Sequence, residues 1–375
     1  MTRRPEIDAL RGFMLVMITC THLPTLFAKL LSQPFGFVSA AEGFVFLSAF
    51  LAGGIYTRIA HDQSPAAMRV ALWRRARTIY LAHAGVLAVL FTAVSALAVS
   101  TGSVAVQNLA SFYLKEPGTA VWAGFALLYN PPLLDILPMY VLFMLVSPLL
   151  LSVALRRGWV PVLAASLALW AAAQFGLSSF VHRELFEAFH IRVPLRESGA
   201  FNLLAWQWVW VLGLWLGSGG ASKLLNCPRG VIAGAVLVAV CGLLARHLLG
   251  QYPFAAHEAY NVLVDKWQLG PLRVLNFLAL LVVLTRFGAP LARMRWRFLE
   301  VLGAASLPVF CAQLIIVLFA LCAVGDREVA APLWEQVRLL AATLTALYAV
   351  AVMSAGSKQR RRAARSESGL SAGAA

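Results

Sequence analysis

The chain has 375 residues, 61% of them hydrophobic and 13% charged, with a mean hydropathy of +0.78. Soluble domains carry about 25% charged residues, so this composition excludes a soluble globular protein and fits an all-α, polytopic integral membrane protein. The net charge of +15 does not point to nucleic acid, because the basic residues sit in short loops between apolar stretches, where they act as a topology signal.

Ten segments approach the ~20 residues that a helix needs to cross a bilayer: 7–27, 38–57, 78–99, 134–154, 159–176, 200–218, 230–249, 271–288, 300–324 and 336–355. They predict a bundle of about ten transmembrane helices. The first carries Arg11 and His22. An ionisable group inside a span costs several kcal/mol and persists where it faces a cavity and works there. Eleven residues of helix rise about 16 Å, roughly half of a hydrocarbon core. Arg11 is therefore expected near one surface and His22 well towards the other. No cleavable leader is expected, because this first segment holds both ionisable groups and lacks a convincing small-residue cleavage site.

Further along, 119–133 is apolar but short and ends in Pro131-Pro132, which predicts a re-entrant or interfacial piece. With ten spans, about two thirds of the Lys and Arg fall on the side of the N-terminus, which places both termini in the cytoplasm. Residues 1–356 then form one membrane domain. The tail 357–375 is polar and basic and reads as a disordered topology anchor. Cys20, Cys227, Cys241, Cys311 and Cys322 are scattered, with no C-x-x-C, and read as packing residues. The seven histidines lack metal-ligand spacing, so no metal is expected.

On this topology His22, Glu42, Asp135, Asn202, Gln207, Lys266 and Arg273 gather in the outer half of the bundle, while Arg11, Arg77 and the loop arginines face inward. The pattern predicts a polar cavity open to the outside, with a cationic mouth below.

The first helix fits the R-x10-H pattern of the membrane acyltransferase type 3 superfamily. EGFVFLSAFLAG (42–53) is similar to that superfamily's D-x-F-F-x-x-S-G-F element, with Glu42 at the acidic position and Ser48 at the serine. Ala49 stands where the pattern has glycine, which weakens the case for close backbone approach there. More specifically, the chain resembles the OpgC family, succinyltransferases of osmoregulated periplasmic glucans. RPEIDALRG (4–12), RTIYLAH (77–83), DILPMYVLF (135–143), FNLLAWQWVWVLG (201–213), DKWQLGPLRVLNFLAL (265–280) and LGAASLPVFCAQL (302–314) carry that resemblance, in order, from residue 4 to about 350.

The resemblance implies a bacterial inner-membrane O-acyltransferase that moves succinyl from succinyl-CoA to hydroxyls of a periplasmic glucan, with no bound cofactor. Such transfer needs a base for the hydroxyl, donors for the tetrahedral oxyanion and a hold on both substrates. The resemblance gives His22 the role of base, and an imidazole that titrates near neutrality suits it. Glu42 or Asp135 can orient and polarise His22, and the sequence does not choose between them. Asp135 equally suits a helix N-cap. Asn202 and Gln207 can donate to an oxyanion or tie helices together. Trp206, Trp208 and Trp210 are candidate sugar platforms or interface anchors.

A polyanionic acyl-CoA wants arginines on the inner face, since planar guanidinium matches phosphate geometry. Arg11 and Arg77 lead those candidates, ahead of Arg74, Arg75, Arg293, Arg295 and Arg297. Lys266 or Arg273 suits the free carboxylate of a succinyl group, and Tyr80 with His83 suits a supporting pair. Acetyl or another acyl group, and another envelope polysaccharide, stay open. Two other classes are a transporter or flippase and an envelope sensor or assembly protein. The first lacks a half-to-half repeat, and the second is disfavoured by an intact His22, Glu42 and Ser48. Flat lipid-facing surfaces allow a homodimer.

Overall fold

The computed structural model describes residues 5–222, 226–250, 253, 258–288, 296–324 and 331–371, with side-chain environments given as far as residue 357. Apart from one isolated bridge between Phe35 and Val38, its regular structure in these residues is helical. The main helices are α1 (Pro5–His22), α2 (Ala40–Asp62), α3 (Pro65–Thr101), α4 (Ile136–Arg157), α5 (Trp159–Gln174), α6 (Leu177–Ala188), α7 (Leu203–Trp215), α8 (Arg229–Leu249), α9 (Pro271–Phe287), α10 (Arg297–Ala304), α11 (Ser306–Val324) and α12 (Leu333–Ser371).

Among the described residues six helices are long and apolar enough to cross a membrane: α2, α3, α4, α8, α11 and α12 over Leu333–Ser357. The bent pair α5–α6, which turns by 83°, makes a seventh if it counts as one span. This is fewer than the ten expected. The shortfall has physical causes. Glu6, Asp8 and Arg11 charge the first half of α1. The regular part of α7 is 13 residues long and passes into a π-helical turn, Leu216–Gly220. Helix α9 has 17 residues.

Other boundaries moved for local reasons. The third helix starts at Pro65, well before the expected residue 78. Ser64 caps it by accepting from the Ala67 N–H, and Pro65 fills the first turn, where its missing donor costs nothing. A π-helical turn at Leu90–Val94 interrupts it. The segment expected at 300–324 is two helices, broken at Ala305. The 119–133 piece is a short helix, Pro117–Phe125, followed by turns. The last helix continues to Ser371 through the tail expected to be disordered. Its stretch 358–365, KQRRRAAR, is made only of good helix formers.

Two crossings position the site. At α1 against α10, Gly12 lies on the Leu299 carbonyl and Gly303 on the Asp8 carbonyl, so a methyl group on either would collide with backbone. Small residues let helices approach this closely in a membrane, where dispersion replaces the hydrophobic effect as the driving force. At α2 against α7, Gly53 meets the Leu214 carbonyl and Gly217 the Phe50 carbonyl. Gly213 lies against the Ala49 side chain. The close approach that Ala49 put in doubt is therefore kept by the glycines of the facing helix. Helix α3 packs on α4, α5 on α7, α8 on α9, and α11 on α1, α3 and α12.

Candidate active site

Helices α1 and α11 run side by side in the same direction, tied by polar contacts at two levels. An Arg11 amino group meets Ser306 Oγ at the first. At the second, Gln313 Nε2 lies 3.0 Å from His22 Nδ1. Between them Phe310 of α11 stacks on Phe44 of α2, with centroids 5.7 Å apart. Tyr140 braces this wall by donating to the Phe44 carbonyl at 2.9 Å.

At the Arg11 level is a cavity of about 300 Å³. Arg11, Arg75, Ser48, Tyr56, Tyr140 and Ser306 supply its polar groups, and Phe44, Phe310 and aliphatic side chains supply the rest. Asp8, one turn before Arg11, acts on it electrostatically. Neither Arg11 nor Arg75 forms an ion pair with a carboxylate among the described residues. Two guanidinium groups in a partly apolar cavity make a site for an anion, because charge-assisted bonds to phosphate or carboxylate strengthen as water is excluded.

Arg77, favoured in the sequence, is exposed and lines no part of this cavity; Arg75 takes its place. The helix period explains the exchange. Leu72, Ala76, Ile79 and His83 form the buried face of α3. Arg75 borders it and lies one turn from Ile79, while Arg77 points away. Arg74 is exposed too, and Arg293 and Arg295 lie outside the described residues. Buried His83 is not in the cavity lining, and Tyr80 donates to the Phe125 carbonyl at 3.0 Å. The two support helix packing.

At the His22 level the charges are gathered and mostly partnered. Glu42 and Arg273 are both 0% exposed and form an ion pair at 2.6 Å. Glu42 also accepts from the Ser39 N–H at 3.0 Å, closing the capping box of α2. The Nε–H of Arg273 donates to the Val264 carbonyl at 2.9 Å. Glu42 is therefore committed to a helix start and to Arg273, and Arg273 is not available for the carboxylate of an acyl group.

Asp135 occupies the N-cap position of α4, without a side-chain hydrogen bond to its first turn. Its carboxylate accepts from the Ala200 N–H at 3.0 Å, pinning the loop before α7. Burial raises this carboxyl to about 6, against the pull of the Ala200 N–H and Lys266. Lys266, in the turn before α9, acts on His22, Glu42 and Asp135. Its ammonium lies 4.5 Å from the Trp267 ring centroid and 6.0 Å from that of Phe201. Burial pushes it below the ordinary lysine range. Of the outer cluster expected from sequence, His22, Glu42, Asp135, Lys266 and Arg273 come together around this turn.

Asn202 and Gln207 do not join them as free donors. Asn202 caps α7, accepting from Leu204 and Ala205 N–H at 3.1 and 3.2 Å, and its amide NH2 is bound to Gln268. Gln207 ties α7 to α5: Ser166 Oγ donates to its Oε1 at 2.6 Å, and its NH2 donates to the Ser166 carbonyl at 2.8 Å. Trp206, Trp208 and Trp210 are buried core residues, neither sugar platforms nor interface anchors. The sequence reading also missed Gln313, whose only signal was its place, seven residues beyond Ser306 in an otherwise apolar helix.

The sequence profile of one protein family, described as OpgC protein, matches residues 3–359. No curated protein and no solved structure matches the chain.

Proposed function

The chain belongs to the OpgC family, and on that footing we propose that it is a membrane O-acyltransferase that succinylates a periplasmic glucan. Both termini lie in the cytoplasm in this reading, and succinyl-CoA is the donor. One observation carries it above the rest. Arg11 and His22 of α1 are each held by α11, and at the Arg11 end sits a cavity with two arginines that pair with no carboxylate among the described residues.

Arg11 and Arg75 hold the anionic donor at its phosphates. The thioester extends past Phe44 and Phe310 towards His22. There the sugar hydroxyl gives its proton to His22 Nε2 as its oxygen attacks the thioester carbonyl. The tetrahedral oxyanion collapses by breaking the C–S bond. The departing thiolate takes the proton from the imidazolium, so neutral His22, free CoA thiol and the glucan ester remain. Base assistance of this kind contributes about 10²–10⁴ in rate. The carboxylate pair Glu42 and Asp135 supports the frame, and Lys266 is the cation left to meet the free end of the succinyl group.

The test is thiol release. Membranes containing the protein, given succinyl-CoA and a periplasmic glucan, release CoA thiol and yield glucan heavier by succinyl. His22→Ala membranes do neither. Thiol release that persists in His22→Ala, or succinyl-independent movement of glucan, overturns the reading. A transporter or scaffold releases no thiol.

A further inference from the structure

We propose that Gln313 is a positioning residue that selects the tautomer of His22; the inference rests on His22 being the base. A neutral imidazole carries one proton on two nitrogens, and the nitrogen that lacks it is the basic one. For Nε2 to receive a hydroxyl proton, Nδ1 must hold the ring proton and donate it to something. Here that something is neither Glu42 nor Asp135, whose oxygens hold Arg273, Ser39 and Ala200. It is the amide of Gln313, whose Nε2 lies 3.0 Å from Nδ1 and whose Oε1 takes that place, and accepts the proton, after a half-turn.

The Gln313 side chain is 0% exposed, and its Oε1 is buried without a hydrogen-bond partner among the described residues. Such an orphan costs about 1–3 kcal/mol, which a residue chosen only for packing would not carry in an apolar helix. A half-turn about the last side-chain bond exchanges the amide's NH2 and oxygen. In one orientation NH2 donates to Nδ1, the proton sits on Nε2, and the ring is a donor. In the other Oε1 accepts from Nδ1–H, Nε2 is bare, and the ring is a base. The same oxygen then receives Nδ1–H of the imidazolium once the hydroxyl proton has arrived.

A carboxylate at this position would hold the imidazolium too firmly, because an adjacent negative charge favours the charged ring. An amide orients the ring and leaves it free to give its proton to the leaving thiolate. The charges around the ring fit this division of work. Lys266 acts on His22 directly. Glu42 and Asp135 act on Lys266, and Arg273 is held by Glu42.

Gln, Glu and Met are close in length and volume, so Gln313→Met and Gln313→Glu test the idea with little change of packing. Succinyl transfer is followed in membranes by thiol release against pH. Gln313→Met is expected to lose about 10- to 100-fold in kcat, part of what general-base assistance supplies, with KM changed less than about threefold. Gln313→Glu is expected to move the acid limb of the kcat/KM profile upward by about one pH unit, the direction a neighbouring carboxylate imposes. A packing role predicts that Gln313→Met is harmless and that no variant moves the profile. Wild-type kcat in Gln313→Met with an unmoved profile overturns the inference. If Gln313→Met does not accumulate, Gln313→Glu decides alone, and an unmoved acid limb overturns it. Activity retained in His22→Ala instead removes the base reading itself, a result distinct from either.

Discussion

The two ends of α1 are built on opposite electrostatic terms. At the Arg11 end, two guanidinium groups share a cavity with tyrosine and serine hydroxyls, and among the described residues no carboxylate is bound to them. At the His22 end, Glu42 is paired with Arg273, Asp135 holds the Ala200 N–H, and Gln313 holds the ring. One end is left cationic to receive an anion. The other is a frame of mostly partnered charges around one imidazole, with the Gln313 Oε1 left over beside it. On the proposed function this asymmetry has a use, because the charged donor would be held at one level and a proton moved at another.

The contrast can be broken at His22. His22→Ala is expected to lower succinyl transfer by about 10²–10⁴ while donor binding, read by succinyl-CoA protection against thermal unfolding, persists. Loss of both would mean that the two ends are not separable. Next in size is the frame. Glu42→Gln removes the negative charge bound to buried Arg273, at a cost of up to about 3–5 kcal/mol, and should sharply lower the Tm in detergent. Glu42→Met with Arg273→Met should recover much of it, since an apolar pair of similar volume often replaces a buried ion pair at little cost. An unchanged Tm in Glu42→Gln would show that the pair is not structural.

At the cationic end the expected effect is smaller and selective. Arg75→Ala removes one charge-assisted contact, worth about 1.5–3 kcal/mol, and should raise KM for succinyl-CoA at least tenfold. Arg77→Ala, two residues on, should leave KM within about twofold, because surface substitutions away from a site have small effects. Equal effects of the two would place the donor elsewhere. Lys266→Ala should weaken succinyl transfer more than acetyl transfer, and equal losses would remove Lys266 from acyl recognition.

The smallest effect is a pH signature of the frame. The Asp135 carboxyl is raised by burial to about 6 from an ordinary value of 3.8. A raised acid binds its proton more tightly folded than unfolded, so its contribution to stability is greatest below about 4 and is lost as pH climbs towards 6. Asp135→Asn, which keeps an acceptor for Ala200, should flatten the Tm–pH curve over that window. A curve parallel to wild type would show that Asp135 does not titrate there.

The sequence disclosed what is local and periodic. Arg11 and His22 could be read because they share one helix, and the apolar runs revealed most helix centres. It did not disclose which polar groups cancel. Glu42 and Arg273 are 231 positions apart, and no periodicity links them. Arg75 was passed over for Arg77 because the amphipathic turns before residue 78 did not register as part of α3. Asn202 and Gln207 looked like donors facing a substrate, yet capping and interhelical bonds use them up. Gln313 was hidden because a single amide in an apolar run has no pattern of its own. Fewer than ten described helices are long and apolar enough to span where charge, a short regular helix or the bend between α5 and α6 interrupts an apolar run.

The meeting of Gly12 with Gly303 has an effect on traffic. With backbone against backbone, α1 and α10 cannot slide or part by even a methyl's width without losing their contact, so this seam stays shut to a bulky thioester. On the α2 and α3 side the cavity is lined by Ile55, Tyr56 and Arg75. On the proposed reading, the donor then loads from the α2 and α3 side of that cavity, and the glycine seam takes no part in its entry.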